Sequence, residues 1–295
     1  MSSYNKNLVF TAACIGMCFF GISMITLGAV LPSLTTKLPL DNLQATALVT
    51  FLPLGLLGGS LLFGPIVDRF GHKTLLLLSC LIVLFGLEGI AFFTSIPLLQ
   101  VSIIGIGLGG GILNGETNAL VADISDEAEK GSRLSLLGAF YGIGALGIPV
   151  LLSFLAEYYS FEIILQGTGM IMLIGILFCL GIRFPAPKQP QGFPIKEGLG
   201  LLKESSLLLL SFILFFQSGI EGVCNNWTTL YLGQTTGIPE NRALIALTCM
   251  VAGLTVARLL LVVLFKKIKQ ETVLRTSLIT AVAGFALLTF APGFA

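Results

Sequence analysis

Four ionisable side chains interrupt long apolar stretches of this sequence and are the first candidates for chemistry: Glu88, Glu116, Glu221 and Arg258. A charged group costs about 2.5–3.5 kcal/mol at the centre of a bilayer on insertion scales, so it faces a partner or a water-filled cavity. Carboxylates and guanidinium groups bind polar solutes through hydrogen bonds, and a carboxylate can also carry a proton. These residue types therefore indicate solute binding and proton transfer.

A polar stripe surrounds Glu221. Gln217, Glu221 and Asn225 are spaced four residues apart, so they share one face of a helix. Amide and carboxylate groups on one face can hold sugar hydroxyls, and hydrogen bonding between helices is the alternative. Trp227 and Tyr231 follow, where an aromatic belt at the membrane surface is favoured over stacking on a sugar ring. The stripe predicts a substrate-binding face that includes Trp227 as a candidate, with Glu221 also a candidate for proton coupling.

A second polar group lies in residues 97–122. Asn114, Thr117 and Asn118 share a helix face, and Asn114 and Asn118 are predicted to bind solute. Glu116 lies about 200° away from Asn114 at 100° per residue, so it does not share that surface. Glu116 is a candidate for proton coupling, with pairing to another helix as the alternative.

The composition places this chain in a lipid bilayer. It is 55% hydrophobic and 11% charged, with a mean hydropathy of +0.97, whereas soluble domains carry roughly a quarter charged residues. Such a chain has too little polar surface for water, and only helices or closed barrels span lipid. A net charge of +1 argues against nucleic-acid binding.

Apolar stretches and basic loops define the expected topology. The expected fold is all-α with nine spans, at residues 8–34, 44–67, 74–95, 97–122, 134–156, 161–182, 206–233, 242–265 and 273–294. Of the 16 Lys and Arg residues, 13 lie with the N-terminus and the connections after even-numbered spans, and two lie on the other side. The positive-inside rule then predicts a cytoplasmic N-terminus in a bacterial inner membrane.

Signals for other classes of protein are weak. The six cysteines have no CxxC spacing and are interpreted as small buried hydrophobic residues, without a metal or another cofactor. Gly105, Gly107 and Gly110 match a dinucleotide-binding pattern, but they lie within an apolar span, where close helix packing explains them better. No nucleophile motif or pair of catalytic carboxylates is found, so an enzyme is not expected.

The connection after the second span carries a motif, GPIVDRFGHK at residues 64–73. It resembles the G-x-x-x-D-R-x-G-R/H-K/R pattern of the major facilitator superfamily, in the same tight loop between helices two and three. Gly64 is expected to let helix two approach a neighbour, and Gly71 to allow a sharp turn. Asp68 is expected to meet the positive end of a helix.

The same motif supplies cations for the cytoplasmic face. Arg69 and Lys73 are expected to anchor there, and the whole loop to control conformation. His72 stands where the family more often has Arg or Lys, and we assign it no switch role. Arg258, one or two turns from the end of its span, is expected to snorkel or contact the gate rather than bind substrate.

Two further segments resemble the fucose-permease-like branch of sugar/proton symporters. They are SGIEGVCNNWTTLY at residues 218–231 and GILNGETNAL at residues 111–120. The resemblance implies alternating access to a central cavity lined by span seven, with proton-coupled uptake of a sugar-like solute by a monomer. It also implies a peripheral, structural place for Glu88. The sequence departs from the branch in having Asn114 where an acid is frequent, and no acid in the first span.

Two alternatives remain open. An exporter of amphipathic drugs or metabolites is one, although the Gly-rich fifth span before Pro149 lacks the full motif of drug/proton antiporters. A non-transporting membrane fragment is the other, because the superfamily has twelve spans. The expected division is a six-helix bundle at 1–183, a cytoplasmic linker at 184–205 and three helices of an incomplete bundle at 206–295, as in a truncated chain.

Overall fold

The computed structural model describes residues 4–38, 40, 42–187, 200, 203–264, 268 and 270–290. Within these residues the chain forms nine α-helices and no strands. Their bounds are α1 Lys6–Lys37, α2 Asn42–Phe70, α3 His72–Phe92, α4 Ile96–Ile124, α5 Glu127–Leu155, α6 Phe161–Leu180, α7 Ser205–Thr236, α8 Glu240–Leu264 and α9 Gln270–Phe290. The all-helical fold predicted from the sequence is confirmed.

The helices match the predicted spans closely. Eight of them, α1 to α8, are long and apolar enough to cross a membrane. The ninth helix, α9, overlaps the ninth predicted span over residues 273–290 and begins three residues before it. The protein is therefore an integral membrane protein. The predicted linker, 184–205, lies largely outside the described residues.

Glycines bring the backbones of α2 and α4 together. A Cβ atom on Gly55 or Gly59 of α2 would overlap backbone atoms of α4, and one on Gly107 or Gly111 of α4 would overlap α2. Small residues at this spacing let membrane helices approach closely. Gly107 thus lets α4 pack closely against α2. This agrees with the sequence analysis, which favoured helix packing over dinucleotide binding for this glycine.

The long helix α1 lies at the centre of the first six helices. Its buried residues pack against α4 and α5, and Gly21 approaches the backbone of Tyr141 and Ala145 in α5. Of the later helices, α7 packs mainly against α1 and α8 mainly against α5. Gly28 of α1 contacts the backbone of Asn225 in α7, and Gly142 of α5 contacts Thr255 of α8.

Ion pairs identify the two ends of the bundle. At one end, which we call the basic end, Lys6 lies 3.2 Å from Asp126. At the opposite end, Lys37 lies 2.7 Å from Glu162, and the Ser33 hydroxyl donates a hydrogen bond of 2.7 Å to Glu240. The basic end holds the α2–α3 and α4–α5 connections, so the even-numbered connections share a side as expected. Its assignment to the cytoplasm remains a prediction.

The cysteines follow the expectation only in part. Cys14, Cys80 and Cys179 are buried, whereas Cys249 is exposed, and all six thiols are free. The exposed thiol lies on α8, on a surface that no described helix covers.

Candidate functional site

Glu221 is the centre of a hydrogen-bonded group in the middle of the membrane region. The Tyr141 hydroxyl donates to Glu221 Oε1 at 2.6 Å, and Gln217 Nε2 donates to Glu221 Oε2 at 2.9 Å. Gln217 lies one turn before Glu221 on α7, as the stripe predicted, and Tyr141 lies halfway along α5. Both carboxylate oxygens therefore have a donor, from two different helices.

Arg258 of α8 completes this group. Its Nη2 lies 3.9 Å from Glu221 Oε1, and its guanidinium carbon lies 4.5 Å from the centre of the Tyr141 ring. Its Nη1 donates a hydrogen bond of 3.1 Å to the carbonyl oxygen of Gly138. We call Gln217, Glu221, Tyr141 and Arg258 the central cluster. The Arg258 side chain does not snorkel away from the protein but turns inward, between α5 and α7.

Asn225 and Asn226 offer acceptors beside the cluster. Both residues are buried, and the Oδ1 atom of each has no hydrogen-bond partner among the described residues. Asn225 lies next to Tyr141 and packs against Gly28 of α1. A buried amide oxygen without a donor is costly, so these atoms are ready to accept a hydrogen bond from a solute hydroxyl or water.

A cavity of about 260 Å³ lies on the basic-end side of the cluster. Arg258 lines it together with Leu134, Ser135 and Gly138 of α5 and Leu261 of α8. Towards the opposite end, α1 contacts the later helices, and the Thr229 hydroxyl donates a hydrogen bond to the Gly28 carbonyl oxygen. Of the central cluster, Arg258 lines this cavity.

Trp227 lies apart from the central cluster. It lines a separate pocket of about 410 Å³, with Cys224 and Tyr231, and Tyr231 is 60% exposed. The structure therefore brings together three of the four residues singled out on α7, Gln217, Glu221 and Asn225, and places Trp227 on another face.

The two asparagines of α4 bond within their own helix. Asn118 Nδ2 donates to the Asn114 carbonyl oxygen at 2.8 Å and to Asn114 Oδ1 at 3.2 Å. Both are half-buried, and none of their described contacts reaches Glu221. Their role in solute binding remains a prediction.

Glu116 forms a buried group with His72. The Glu116 side chain is fully buried, with Oε1 3.3 Å from His72 Nδ1, and Oε2 has no partner among the described residues. His72 Nε2 lies 3.4 Å from Asp123 Oδ2. The predicted separation of Glu116 from the asparagines agrees with this geometry. Sequence reasoning missed His72, although Glu116 and Asp123, seven residues apart, share a face of α4 that could have indicated a common partner.

The loop motif caps two helices. Gly71 has a φ of 81°, which favours glycine, and it joins α2 directly to α3 as the sharp turn predicted. Lys73 Nζ donates to the carbonyl oxygens of Leu180 at 2.7 Å and Ile182 at 2.9 Å, at the end of α6. A cation at a helix C-terminus is stabilising, because it satisfies carbonyl groups and complements the helix dipole.

The remaining motif residues behave differently. Among the described residues, a Cβ atom on Gly64 would meet nothing within 4 Å, so the expected close approach at this glycine is wrong. Arg69 lies over the Phe70 ring at 5.3 Å, and Asp68 is half-buried in the last turn of α2.

Glu88 lies in a groove between α3 and α6. The groove holds a cavity of about 740 Å³ whose walls include Phe85, Phe92, Gln166 and Met170. Among the described residues Glu88 forms no ion pair, and it packs against Gly169.

Comparison with known proteins identifies the family. The family model of the Major Facilitator Superfamily matches residues 13–295. The chain belongs to this superfamily. Membership agrees with the loop motif at residues 64–73 and with the arrangement of α1 to α8.

Relatives and solved structures agree with the superfamily. Inner membrane transport protein YdiN of Escherichia coli (strain K12) is 23% identical over 303 residues, which cover 98% of this chain and 71% of that protein. The uncharacterized MFS-type transporter YfkL of Bacillus subtilis (strain 168) is 26% identical, over 84% of this chain and 64% of that protein. A 3-(3-hydroxy-phenyl)propionate transporter of Escherichia coli is 25% identical, over 92% of this chain and 68% of that protein.

The fold is shared with a sugar symporter of known structure. The proton:xylose symporter XylE bound to 6-bromo-6-deoxy-D-glucose gives a TM-score of 0.70 at 16% identity, over 92% of this chain and 71% of that one. A partially occluded inward-open conformation of XylE from Escherichia coli gives a TM-score of 0.64 at 16% identity, over 92% of this chain and 75% of that one. At this identity the likeness concerns the fold alone.

Proposed function

We propose that this member of the Major Facilitator Superfamily carries a small, polar, sugar-like solute across the membrane by alternating access, in proton-coupled uptake. The observation that supports it most is the central cluster, where three helices from both sides of the linker meet around Glu221. A site at the boundary between two helix groups changes its exposure when one group rocks against the other.

Each polar residue has a part in the proposal. Gln217 and Asn225 hold hydroxyl groups of the solute, and the free Oδ1 of Asn225 is the acceptor best placed for one. Asn114 and Asn118 approach the solute from α4 when the helix groups move. Glu221 carries the proton, because protonation breaks its ion pair with Arg258 and changes the attraction between α7 and α8.

The conformation fits release into the cytoplasm. Contacts of α1 with α7 and α8 close the opposite end, while the cavity beside Arg258 lies toward the basic end. With the basic end in the cytoplasm, as the 13 cations predicted for that side favour, the site opens inward. The loop residues Gly71 and Lys73 hold α2, α3 and α6 together as one body during the movement.

The fucose-permease-like branch is our preferred assignment within the superfamily. It is supported by the sequence around Glu221 and by the clustering of Gln217 and Asn225 on the same side of α7. In this branch we expect Glu116 to act as a second proton site, in contact with His72.

Export of amphipathic compounds is the second candidate. The groove between α3 and α6 supports it, since a cavity of about 740 Å³ with aromatic walls and one carboxylate suits an amphipathic molecule. Solutes of the two candidates differ in polarity, so one screen separates them.

The test is proton movement triggered by solute in de-energised vesicles that contain the chain. Neutral sugars, sugar acids and amphipathic amines are added one at a time, and the external pH is recorded. We expect alkalinisation with a polar solute, its loss in Glu221→Gln, and no change in Glu271→Gln, which alters an exposed carboxylate on α9. Alkalinisation by no polar solute would contradict the proposed function, and proton release with amines would favour the exporter.

A further inference from the structure

The guanidinium of Arg258 is only partly used by the protein. Among the described residues it makes one hydrogen bond, to the Gly138 carbonyl oxygen, and its distance of 3.9 Å from Glu221 is that of a loose ion pair. A guanidinium has five N–H donors in a planar fork. Most of its donor capacity is therefore free for a further partner.

Glu221 does not need Arg258 for its hydrogen bonds. Tyr141 donates to Oε1 at 2.6 Å and Gln217 donates to Oε2 at 2.9 Å, both shorter than the contact with Arg258. Movement of Arg258 toward another anion would leave both carboxylate oxygens with a donor. Arg258 therefore lies close to Glu221 but is free to move to another anion.

Arg258 is also reachable. About a quarter of its side chain is exposed, and it lines the cavity of about 260 Å³ together with Ser135. This volume lies just below the range of about 300–1,000 Å³ of drug-sized pockets, so it suits a smaller solute. The Tyr141 ring lies against the guanidinium from one side, with the guanidinium carbon 4.5 Å from the ring centre.

We propose that Arg258 binds a carboxylate group of the solute, and that the solute class is a polyhydroxy carboxylate, such as a sugar acid, rather than a neutral sugar. Arg binds carboxylates through two parallel hydrogen bonds, and these charge-assisted bonds are about twice as strong as neutral ones. The hydroxyl groups of the same solute reach the Asn225 and Gln217 side of the cluster. This assignment rests on the proposed transport function and specifies its substrate.

Glu221 and the solute compete for the same cation. A proton taken up by Glu221 removes its negative charge, so Arg258 is released to the incoming carboxylate. Among the described residues, the charged and titratable groups that face this exchange are Tyr141 from α5, Cys224 from α7, and Glu221 and Arg258 themselves. Proton and anion therefore bind together, and acid pH strengthens binding of the carboxylate.

Calorimetric titration of the purified chain in detergent tests the proposal. The probes are two matched pairs, gluconate with glucitol and glucuronate with glucose, in which only one member carries a carboxylate. We expect the acid of at least one pair to bind at least tenfold more tightly than its neutral partner, with the difference increasing as pH falls. Arg258→Gln removes this preference and retains weak binding of the neutral member.

Four further variants separate binding from folding. Arg258→Lys keeps part of the preference, because the charge remains and the planar fork is lost. Glu221→Gln strengthens binding of the acid about tenfold and removes its dependence on pH. The double variant Arg258→Gln/Glu221→Gln leaves no unpaired charge in the cluster and still shows no preference for the acid. The control is Arg275→Gln, an exposed change on α9, which should bind like the unmodified chain.

Each other outcome overturns the proposal. Equal or tighter binding of the neutral members contradicts the carboxylate class, while proton movement with neutral sugars in the vesicle experiment would leave the proposed function standing. A preference for acids that survives in the double variant contradicts the place of Arg258. Binding of none of the four probes contradicts the polyhydroxy class, and the vesicle experiment then decides the fate of the proposed function separately.

Discussion

Glu221 accepts hydrogen bonds from side chains on two helices, and the contribution of each donor can be separated. Gln217 lies on the same helix as Glu221, so its bond is local and forms whenever α7 forms. Tyr141 comes from α5, so its bond ties the first six helices to α7. Loss of the Tyr141 hydroxyl should therefore affect the packing of the two groups more than loss of Gln217.

Replacement of Tyr141 by Phe removes this donor and keeps the ring under Arg258. A hydrogen bond to a charged group contributes about 1.5–3 kcal/mol, and partial exposure of Glu221 reduces the expected loss to about 1–2 kcal/mol. The thermal unfolding midpoint of Tyr141→Phe in detergent should fall accordingly. Tyr158→Phe is the matched control, because that tyrosine is 76% exposed, and equal midpoints for the two variants would contradict the tie.

The His72 and Glu116 pair supports a second prediction at this scale. In His72→Ala the fully buried Glu116 loses its described partner, and an unsatisfied buried polar group costs about 1–3 kcal/mol, more where it is charged. Glu116→Gln should cost less, since it leaves no buried charge. The double variant His72→Ala/Glu116→Gln should recover part of the loss in a thermal unfolding measurement. Strictly additive effects of the two single changes would show that the residues are not coupled.

The helices themselves were predictable because each span is a continuous apolar stretch of the sequence, long enough to cross a membrane. The span predicted at 161–182 is observed as Phe161–Leu180, and the turn at Gly71 follows from its place between two such stretches. The stripe of Gln217, Glu221 and Asn225 was equally local, since helix period alone puts these residues on one side.

Contacts between helices could not be predicted from apolar stretches and helix period. Tyr141 and Arg258 meet Glu221 from positions 80 and 37 residues away, and only the rotation and depth of α5 and α8 decide this. Gly64 failed as a close contact for the same reason. It has the right residue type but lies on a face of α2 without a close neighbour, whereas Gly55 and Gly59 lie against α4.

Two adjacent glycines of α2 allow a sharp test of helix packing. Gly59 faces the backbone of α4 so closely that any side chain overlaps it, while no described atom lies within 4 Å of a Cβ on its neighbour Gly58. Gly59→Val should therefore separate α2 from α4 and reduce the yield of folded protein severalfold, and Gly58→Val should leave it nearly unchanged. The measurement is the monodisperse fraction in detergent by size-exclusion chromatography. Similar losses in both variants would point to the helix propensity of Val rather than to packing.

At the scale of the whole molecule, contacts at the opposite end join α1 to α7 and α8. Ser33 on α1 and Glu240 on α8 are joined by a hydrogen bond of 2.7 Å, and the Gly28 carbonyl oxygen accepts one from Thr229 nearby. An alternating-access movement has to break these contacts to open that end. They are therefore reporters of the conformation.

Cross-linking converts this reporter into a test of the movement. In a background with the native cysteines replaced, Ser33→Cys/Glu240→Cys should be joined in high yield by a short bis-maleimide, because the two side chains touch. Ser33→Cys/Lys130→Cys is the control, since Lys130 lies at the basic end and should give no link. The linked peptides are quantified by mass spectrometry after proteolysis. The link should abolish solute-triggered proton movement, while gluconate still binds from the basic side. Proton movement that persists in fully linked protein would contradict opening at this end.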